Sequence, residues 1–305
     1  MTRLPKLPCL RRSQRVTVFL AAAVISALAG CNTGFHTGLA AYEGENYAQA
    51  AVKLQPLAEQ GHARSQFLFG LMHERGHGVE QDLERAAHWY RAAAEQGFAP
   101  AQTNLGVALQ TGAIGAPEAD SEADSEAEPD FARAAQWYQR AADQGHAAAR
   151  HNLAMLYLTG EGVEADRDRA RQLLGKAARD GDANAQFLHG SMLAESVEDE
   201  GAWRKAAHWY TKAAEQNHAQ AQFALGVLYD TGRGVRPDYE KAVDLYTSAA
   251  EAGHAPAQHN LALMYAAGRG VGADLKVAQA WHDRSQSADS DAGPNPTAVT
   301  AVPTP

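Results

Sequence analysis

The chain has 305 residues, of which 36 are acidic and 27 are basic, so its formal net charge is −9 at pH 7. This acidic balance argues against a nucleic-acid partner, since such a partner requires a basic face. No G-x-S-x-G, S-x-x-K or P-loop motif is present, so the sequence offers no hydrolase or nucleotide-binding signature.

Residues 1–30 have the pattern of a secretory leader. Five cations and no acid precede an apolar run of 13 residues, 16–28. That run is shorter than the about 20 residues that a membrane-spanning helix needs. It ends in Leu-Ala-Gly-Cys at 28–31, which resembles the lipobox of bacterial lipoproteins. The resemblance implies that Cys31 becomes the acylated first residue, and the alternative is an ordinary secretory cleavage beside an incidental cysteine.

The residue after the cysteine and the composition of the mature chain refine this prediction. In enteric-type lipoproteins an Asp there marks retention at the inner membrane, so Asn32 favours the outer membrane and a periplasm-facing chain. Removing the leader would leave 22 basic against 36 acidic residues and no pair of cysteines to oxidise. Residues 31–37 are predicted to be a short tether.

From residue 38 onward the chain repeats itself. The tetrad Ala-x-Ala-Gln begins at Ala99, Ala183, Ala219 and Ala255, and a Gly-His-like pair closes each repeat. Successive pairs are 36 residues apart except for one step of 48, which is a repeat with a 12-residue insertion. The predicted repeats are 38–62 (contracted), 63–98, 99–146, 147–182, 183–218, 219–254 and 255–286.

Each repeat predicts two helices, as residues 219–254 illustrate. Ala221, Leu225 and Tyr229 share one helical face, and the nearby Gly226 would let a partner helix come close. Gly232 is expected to end the first helix and Asp238 to cap the second. Since one such hairpin cannot cover its own apolar face, several must stack, and the sequence predicts an all-α fold.

The pattern A-x-A-Q-x-x-L-G-x-x-Y-x-x-G-x-G-V-x-x-D-x-x-x-A-x-x-W-Y-x-x-A-A-x-x-G resembles the Sel-1-like repeat, a relative of the tetratricopeptide repeat, over roughly residues 38–284. The resemblance implies a right-handed α-solenoid of helix-turn-helix repeats, in which the first helices line the concave side. Its implication for activity is weaker, because a fold does not determine a function.

Two segments depart from the repeat. The insertion at 116–129 is acidic and free of basic residues, and we expect it to be disordered rather than a calcium site, because the offsets of an EF-hand loop are missing. In the fourth full repeat an acidic stretch at 196–201 replaces Gly-x-Gly-Val. With Glu161 and Glu164 it predicts an acidic rim, for which solubility is the simpler explanation. The tail, 287–305, is rich in Pro, Ala, Ser and Thr and is predicted to be disordered.

Three motifs suggest chemistry that their context disfavours. His73 and His77 match H-E-x-x-H, but Gly76 is the helix-ending glycine of the repeat, so His77 should fall in a loop and no zincin site should form. Most of the 13 histidines recur one repeat apart, so we predict no metal and no cofactor. The Trp-Tyr pairs that begin at Trp89, Trp137 and Trp209 are assigned to the inter-helix core, because Leu replaces Trp in two repeats.

The best candidate for a binding surface is the concave groove formed by the first helices. Two adjacent columns of residues there hold amides and aromatic rings, which can bind an extended peptide. In related tetratricopeptide domains Asn in such a column binds the peptide backbone. Packing against the neighbouring repeat is the alternative, and the sequence leaves both open. The candidate residues are Phe67, Asn104, His151, Asn152, Phe187, Phe223, His259 and Asn260.

Together these features predict a non-catalytic scaffold for protein partners, anchored to the outer membrane by its lipid. One alternative is an accessory of an envelope export or assembly complex, such as the alginate-export lipoproteins that carry this repeat. Another is a β-lactam or peptidoglycan hydrolase, because cysteine-rich relatives have been associated with β-lactam binding. Those relatives carry paired cysteines in each repeat, which this chain lacks.

Overall fold

The computed structural model describes residues 33–113, 129–195 and 199–291. The predicted leader, the lipid site Cys31, residues 116–128 of the acidic insertion, and the tail beyond residue 291 lie outside the described residues. The part of the chain that is described forms 14 α-helices and no strand, which confirms the all-α prediction. None of these helices has the length and apolar character of a membrane span.

The helices alternate between first and second members of successive hairpins, and α1 covers residues 33–43. The others are α2 Tyr47–Glu59, α3 Ala63–Arg75, α4 Leu83–Glu95, α5 Ala99–Gln110, α6 Phe131–Asp143, α7 Ala147–Thr159, α8 Arg167–Arg179, α9 Ala183–Ala194, α10 Glu200–Ala214, α11 Ala219–Thr231, α12 Tyr239–Glu251, α13 Ala255–Ala267 and α14 Leu275–Asp291.

The chain divides into two compact blocks after Gln144. The N-terminal block holds α1–α6, and the C-terminal block holds α7–α14. Within each block consecutive helices pack on one another, so that hairpin follows hairpin. This is the predicted α-solenoid arrangement of helix-turn-helix repeats.

Helix ends follow the predicted turn chemistry. The first helix α11 ends at Thr231, and Gly232 follows it in the left-handed region at φ 76°, which glycine adopts without a steric penalty. The Asp238 side chain then accepts the backbone N–H of Lys241 and caps α12. Aspartates cap six of the second helices: Asp82, Asp130, Asp166, Asp199, Asp238 and Asp274.

A glycine lets the two helices of a hairpin approach closely, as predicted for Gly226. A Cβ built at Gly226 would lie 2.7 Å from Cε1 of Tyr246 on the partner helix, which is well inside van der Waals contact. Three other hairpins repeat the arrangement with Cβ distances of 2.5–2.9 Å: Gly70 with Tyr90, Gly106 with Tyr138, and Gly190 with Tyr210.

The remaining two full repeats change both members of the pair. Ala154 stands at the glycine position of the hairpin α7–α8, and Leu174 stands at the tyrosine position. In α13–α14 the residues are Ala262 and His282. A larger residue on the first helix therefore goes with a residue other than tyrosine on the second, which keeps the contact filled without overlap.

The Gln of Ala-x-Ala-Gln joins neighbouring hairpins. Buried Gln186 donates from Nε2 to the backbone carbonyl of Ala178 in the preceding hairpin (3.1 Å). Its Oε1 accepts from Nε2 of Gln216 at the end of its own hairpin (2.9 Å). Gln66 and Gln102 make the same two bonds. In the repeat 147–182 an ion pair of Arg150 with Asp180 replaces the Gln–Gln pair.

The second glycine of the Gly-x-Gly loop also reaches the preceding hairpin. A Cβ at Gly234 would overlap the backbone at Trp203, where α10 begins, and a Cβ at Gly270 would overlap the backbone at Tyr239. The arginine before each glycine lies over the side chain of the residue that the glycine contacts. The guanidinium carbon of Arg233 is 5.4 Å from the centre of the Trp203 ring, and that of Arg269 is 4.6 Å from the centre of the Tyr239 ring. The loop therefore packs directly against the backbone of the preceding hairpin.

Two predicted boundaries were wrong. Residues 33–37 of the expected tether are helical, because Phe35 is only 3% exposed and packs in the cluster that contains Leu54 and Leu57. At the other end α14 continues to Asp291, beyond the predicted end of the last repeat at 286. Neither Gly nor Pro occurs between Leu275 and Asp291, so no such residue interrupts the helix there.

We expect Gly226→Ala to destabilise the C-terminal block. Alanine gains about 1 kcal/mol in helix propensity, but forcing its methyl group against Tyr246 costs roughly 1–3 kcal/mol. In a Tyr246→Leu background, which reproduces the natural Ala154–Leu174 combination, the same change should be neutral or stabilising. Urea unfolding of the four proteins measures this coupling, and equal effects in both backgrounds would refute the steric explanation.

Candidate functional site

The candidate groove residues occupy one register on the first helices, at the fifth and sixth positions of each helix. Phe67 and Asn104 belong to the N-terminal block, and the others belong to the C-terminal block. Each block is described separately below. All of these side chains are half-buried except His259, which is exposed.

The phenylalanines of the C-terminal block are held by packing on two sides. The Phe223 ring lies 5.9 Å from that of Tyr246 on its own second helix and 4.8 Å from that of His254, which caps the next first helix. The Phe187 ring lies 5.8 Å from Tyr210 and stacks on His218 at 5.1 Å. Each ring therefore bridges two hairpins and still keeps an accessible part.

The same contact occurs in the N-terminal block. The Phe67 ring lies 5.8 Å from Tyr90 and 5.4 Å from Phe98, the residue that precedes α5. In the first hairpin Phe35 contacts His62 at 5.0 Å and is fully buried. The sequence placed a Gly-His pair at each repeat end but gave no sign that its second residue packs on the phenylalanine of the same repeat.

The two histidines of the groove column differ from each other. His151 Nδ1 is buried and has no hydrogen-bond partner within the described part of the chain. Burial lowers the pKa of His151, and the nearby Asp182 carboxylate opposes this effect. His259 is exposed, with its ring 6.1 Å from that of His282. The fold therefore covers Nδ1 of His151, whereas the His259 ring is accessible from outside.

The groove asparagines lie beside tyrosines of the preceding hairpin. Asn104 faces the Tyr90 hydroxyl, which donates to Glu74. Burial is the main cause that raises the pKa of Tyr90. Asn260 faces the Tyr246 hydroxyl, but that hydroxyl makes no hydrogen bond of good geometry. Each of these amides thus lies beside a tyrosine of the preceding hairpin, and both asparagines are half-buried.

The H-E-x-x-H motif does not lie on one helix. As predicted, α3 ends at Arg75 and Gly76 turns into the left-handed region at φ 69°. His77 therefore sits in the loop, where its ring stacks on Tyr47 at 4.1 Å, while Nδ1 of buried His73 lies 3.1 Å from the Glu80 carbonyl oxygen. Among the described residues no group of three or more metal-ligating side chains could hold an ion.

The Trp-Tyr pairs divide between core and surface. Tyr138 is fully buried and donates to Gln110 Oε1 (2.8 Å). Trp137 is half-buried, with Arg140 over its ring at 4.5 Å. Trp209 and Trp281 are likewise covered by Lys212 and Arg284. The tyrosine fills the inter-helix core. The indole packs at the edge of that core, and the side chain of an arginine or lysine lies over its outer face.

The acidic loop of the repeat 147–182 borders a shallow cavity of about 390 Å³. Glu161 and Glu164 are exposed there, as an acidic rim would require. Asp166 caps α8 through the N–H of Arg169, and Arg169 donates to the Tyr157 hydroxyl (3.1 Å). Asp166 and Arg169, two of the charged residues that line this cavity, are thus already bonded within the hairpin.

Substituting Phe223 distinguishes packing from ligand binding. We expect Phe223→Ala to lower the free energy of unfolding by about 1–3 kcal/mol, because it removes the contacts with Tyr246 and His254. Phe223→Leu retains most of the apolar area and should cost less than half as much. Urea unfolding measures both. If Phe223→Ala were as stable as the unmodified chain, the ring would be free of a structural role.

The sequence model of the Sel1 repeat matches most of the chain between residues 63 and 285. The matched ranges are 63–98, 99–123, 124–146, 147–182, 204–218, 219–254 and 255–285. Among curated proteins, none matches the chain.

Two solved structures show the same fold. The first is c5321, a protective antigen of uropathogenic Escherichia coli with an SLR fold. Its TM-score is 0.76 at 32% identity, over 86% of this chain and 54% of that one, so this chain spans about half its length. The second is a Sel1 repeat protein from Oxalobacter formigenes, with a TM-score of 0.70 and 28% identity over 83% of this chain and 96% of that one.

Proposed function

This chain belongs to the Sel1 repeat family, and we propose that it is a non-catalytic scaffold whose first helices bind an extended segment of a protein partner. Sel1 repeat proteins bind protein partners, which supports this function at the level of the family. The observation that carries the proposal is the recurrence of half-buried aromatic rings at one register of the first helices: Phe67, Phe187 and Phe223.

The contacts of these rings suit them to be anchors. Phe187 and Phe223 are each fixed by a tyrosine and a histidine, so little side-chain entropy remains to be lost when a partner binds. Their accessible parts can receive apolar side chains. Asn152 and Asn260, both half-buried on the same block, supply amides that can pair with a peptide backbone.

The same columns favour binding over catalysis. The candidate residues carry aromatic, amide and imidazole groups, and none of these is a typical nucleophile paired with a general base. The loop aspartates that precede the second helices, such as Asp166 and Asp238, are occupied in caps. A catalytic function would need a charge arrangement that these helices do not build.

We also propose that a lipid on Cys31 holds the scaffold at the outer membrane, facing the periplasm. The leader, the lipobox at 28–31 and Asn32 support this address. The first described helix begins at residue 33, so the anchored solenoid would start almost at the membrane surface. Acyl chains contribute about 0.8 kcal/mol per buried CH₂ group.

Photocrosslinking in cells tests the groove. A benzophenone amino acid placed at Phe187, Phe223 or His259 should capture the same partner from all three positions. The matched control is His208, an exposed aromatic position on the second helix α10, which should capture little of it. Mass spectrometry identifies the captured protein. Equal capture from position 208 would place the binding surface elsewhere.

Labelling with an alkyne fatty acid tests the anchor. We expect the unmodified chain to carry the label and sediment with membranes, and Cys31→Ser to lose the label and to leave the membrane fraction. Cys9→Ser is the matched control, because this cysteine lies within the leader, and it should behave like the unmodified chain. Firm membrane association of Cys31→Ser would contradict the lipid anchor.

A further inference from the structure

Histidine caps three of the first helices. His62 precedes α3, His218 precedes α11, and His254 precedes α13. Nδ1 of each ring accepts the backbone N–H three residues later, at N···N distances of 3.2, 3.2 and 3.3 Å. A ring nitrogen accepts a hydrogen bond only with a free lone pair, so all three rings must be neutral and carry their proton on Nε2.

Each capping ring is also part of a joint between hairpins. His218 stacks on Phe187 of the preceding first helix, and His254 packs on Phe223. His62 packs on Phe35 in the first hairpin. One imidazole thus accepts a backbone N–H at the start of a helix and contacts the neighbouring hairpin at the same time.

The helix α9 supplies a natural comparison. Asp182 holds the equivalent position and accepts the N–H of Ala185 through Oδ1 (2.7 Å). A carboxylate remains an acceptor at mildly acid pH, whereas an imidazole does not. Protonation would also place a positive charge at the positive end of a helix dipole.

We propose that His62, His218 and His254 make these joints sensitive to protonation, so that mild acid releases three helix caps and loosens the hairpins that they connect. This inference does not depend on which partner the groove binds.

The surroundings of each ring lower its pKa, as expected if the folded chain favours the neutral, capping form. Burial, followed by the charge of Arg64, lowers the pKa of His62, whose Nδ1 also lies 2.8 Å from Ser65 Oγ. Burial, followed by the charge of His218, lowers the pKa of His254. For His218 burial again dominates and lowers the pKa, although the backbone of His218 itself and the nearby Asp182 carboxylate oppose it.

The remaining contacts of the His218 ring do not reverse this effect. Nε2 of His218 lies 3.0 Å from Asn184 Oδ1, a contact that the neutral Nε2–H tautomer satisfies. A protonated ring would gain some attraction to Phe187, but it would lose the cap and face the helix dipole.

The sign of the pH effect follows from linkage. The pKa of each folded-state ring lies below the ordinary value of 6.5. The unfolded chain then binds more protons as pH falls. The contribution of the caps is therefore complete above about pH 6.5 and declines as the pH falls below that value.

Thermal unfolding of the full chain at about pH 7.5 and about pH 5 tests the proposal. We expect the Tm of the unmodified protein to fall by roughly 5–10 °C between these conditions, since three caps are lost. A triple variant, His62→Asp, His218→Asp and His254→Asp, should show a clearly smaller decrease, because it copies the cap of α9 and leaves only other buried histidines, such as His151, to titrate. The control, His88→Asp and His208→Asp, changes exposed histidines and should keep the full decrease.

An equal decrease in the triple variant would overturn the proposal. A second measurement holds even if that variant folds poorly. The imidazole ¹⁵N shifts of the unmodified protein near pH 7.5 should identify the Nε2–H tautomer at His62, His218 and His254. A Nδ1–H tautomer at these residues would equally refute the capping role.

Discussion

The fold depends on how closely the two helices of a hairpin approach each other. In four hairpins a tyrosine ring lies where the Cβ of any residue other than glycine would be. The close approach leaves room only for small side chains elsewhere on the interface, and the buried core is accordingly rich in alanine, including Ala134, Ala170 and Ala206. Side-chain size at two positions therefore determines the packing distance on which every later contact relies.

The sequence predicted the features that follow from local chemistry. The end of α11 and the cap at Asp238 could be inferred, because each depends on residues within one or two turns. The need for a small residue at Gly226 could be inferred from its place on the apolar face of its helix, although the contacting Tyr246 lies on the partner helix. The exchange of a Gln–Gln pair for Arg150 and Asp180 could not. It joins positions 30 residues apart, and a single sequence does not show which side chains of two helices meet.

The positions of the candidate groove residues along the first helices could be predicted from the sequence, but the exposure of their side chains could not. A period of 36 residues places Phe187 and Phe223 at equivalent positions, and the structure keeps them equivalent. How much of each ring its neighbours cover depends on the packing of the next hairpin, and the repeat pattern does not encode this. The phenylalanines therefore pack between hairpins and also form the accessible aromatic surface of the scaffold.

The position of these paired contacts within the repeats affects how easily a repeat can be added to the array or removed from it. Gly226 and Tyr246, Arg150 and Asp180, and Phe187 and His218 each lie within a single 36-residue repeat. The buried Gln186, in contrast, reaches the preceding repeat through a backbone carbonyl, a group that every sequence provides. A duplicated or deleted copy would carry these matched side chains with it. Recombination that lengthens or shortens the array therefore keeps these contacts intact, and only side-chain pairs that cross a junction, such as Arg233 with Trp203, must find a new partner.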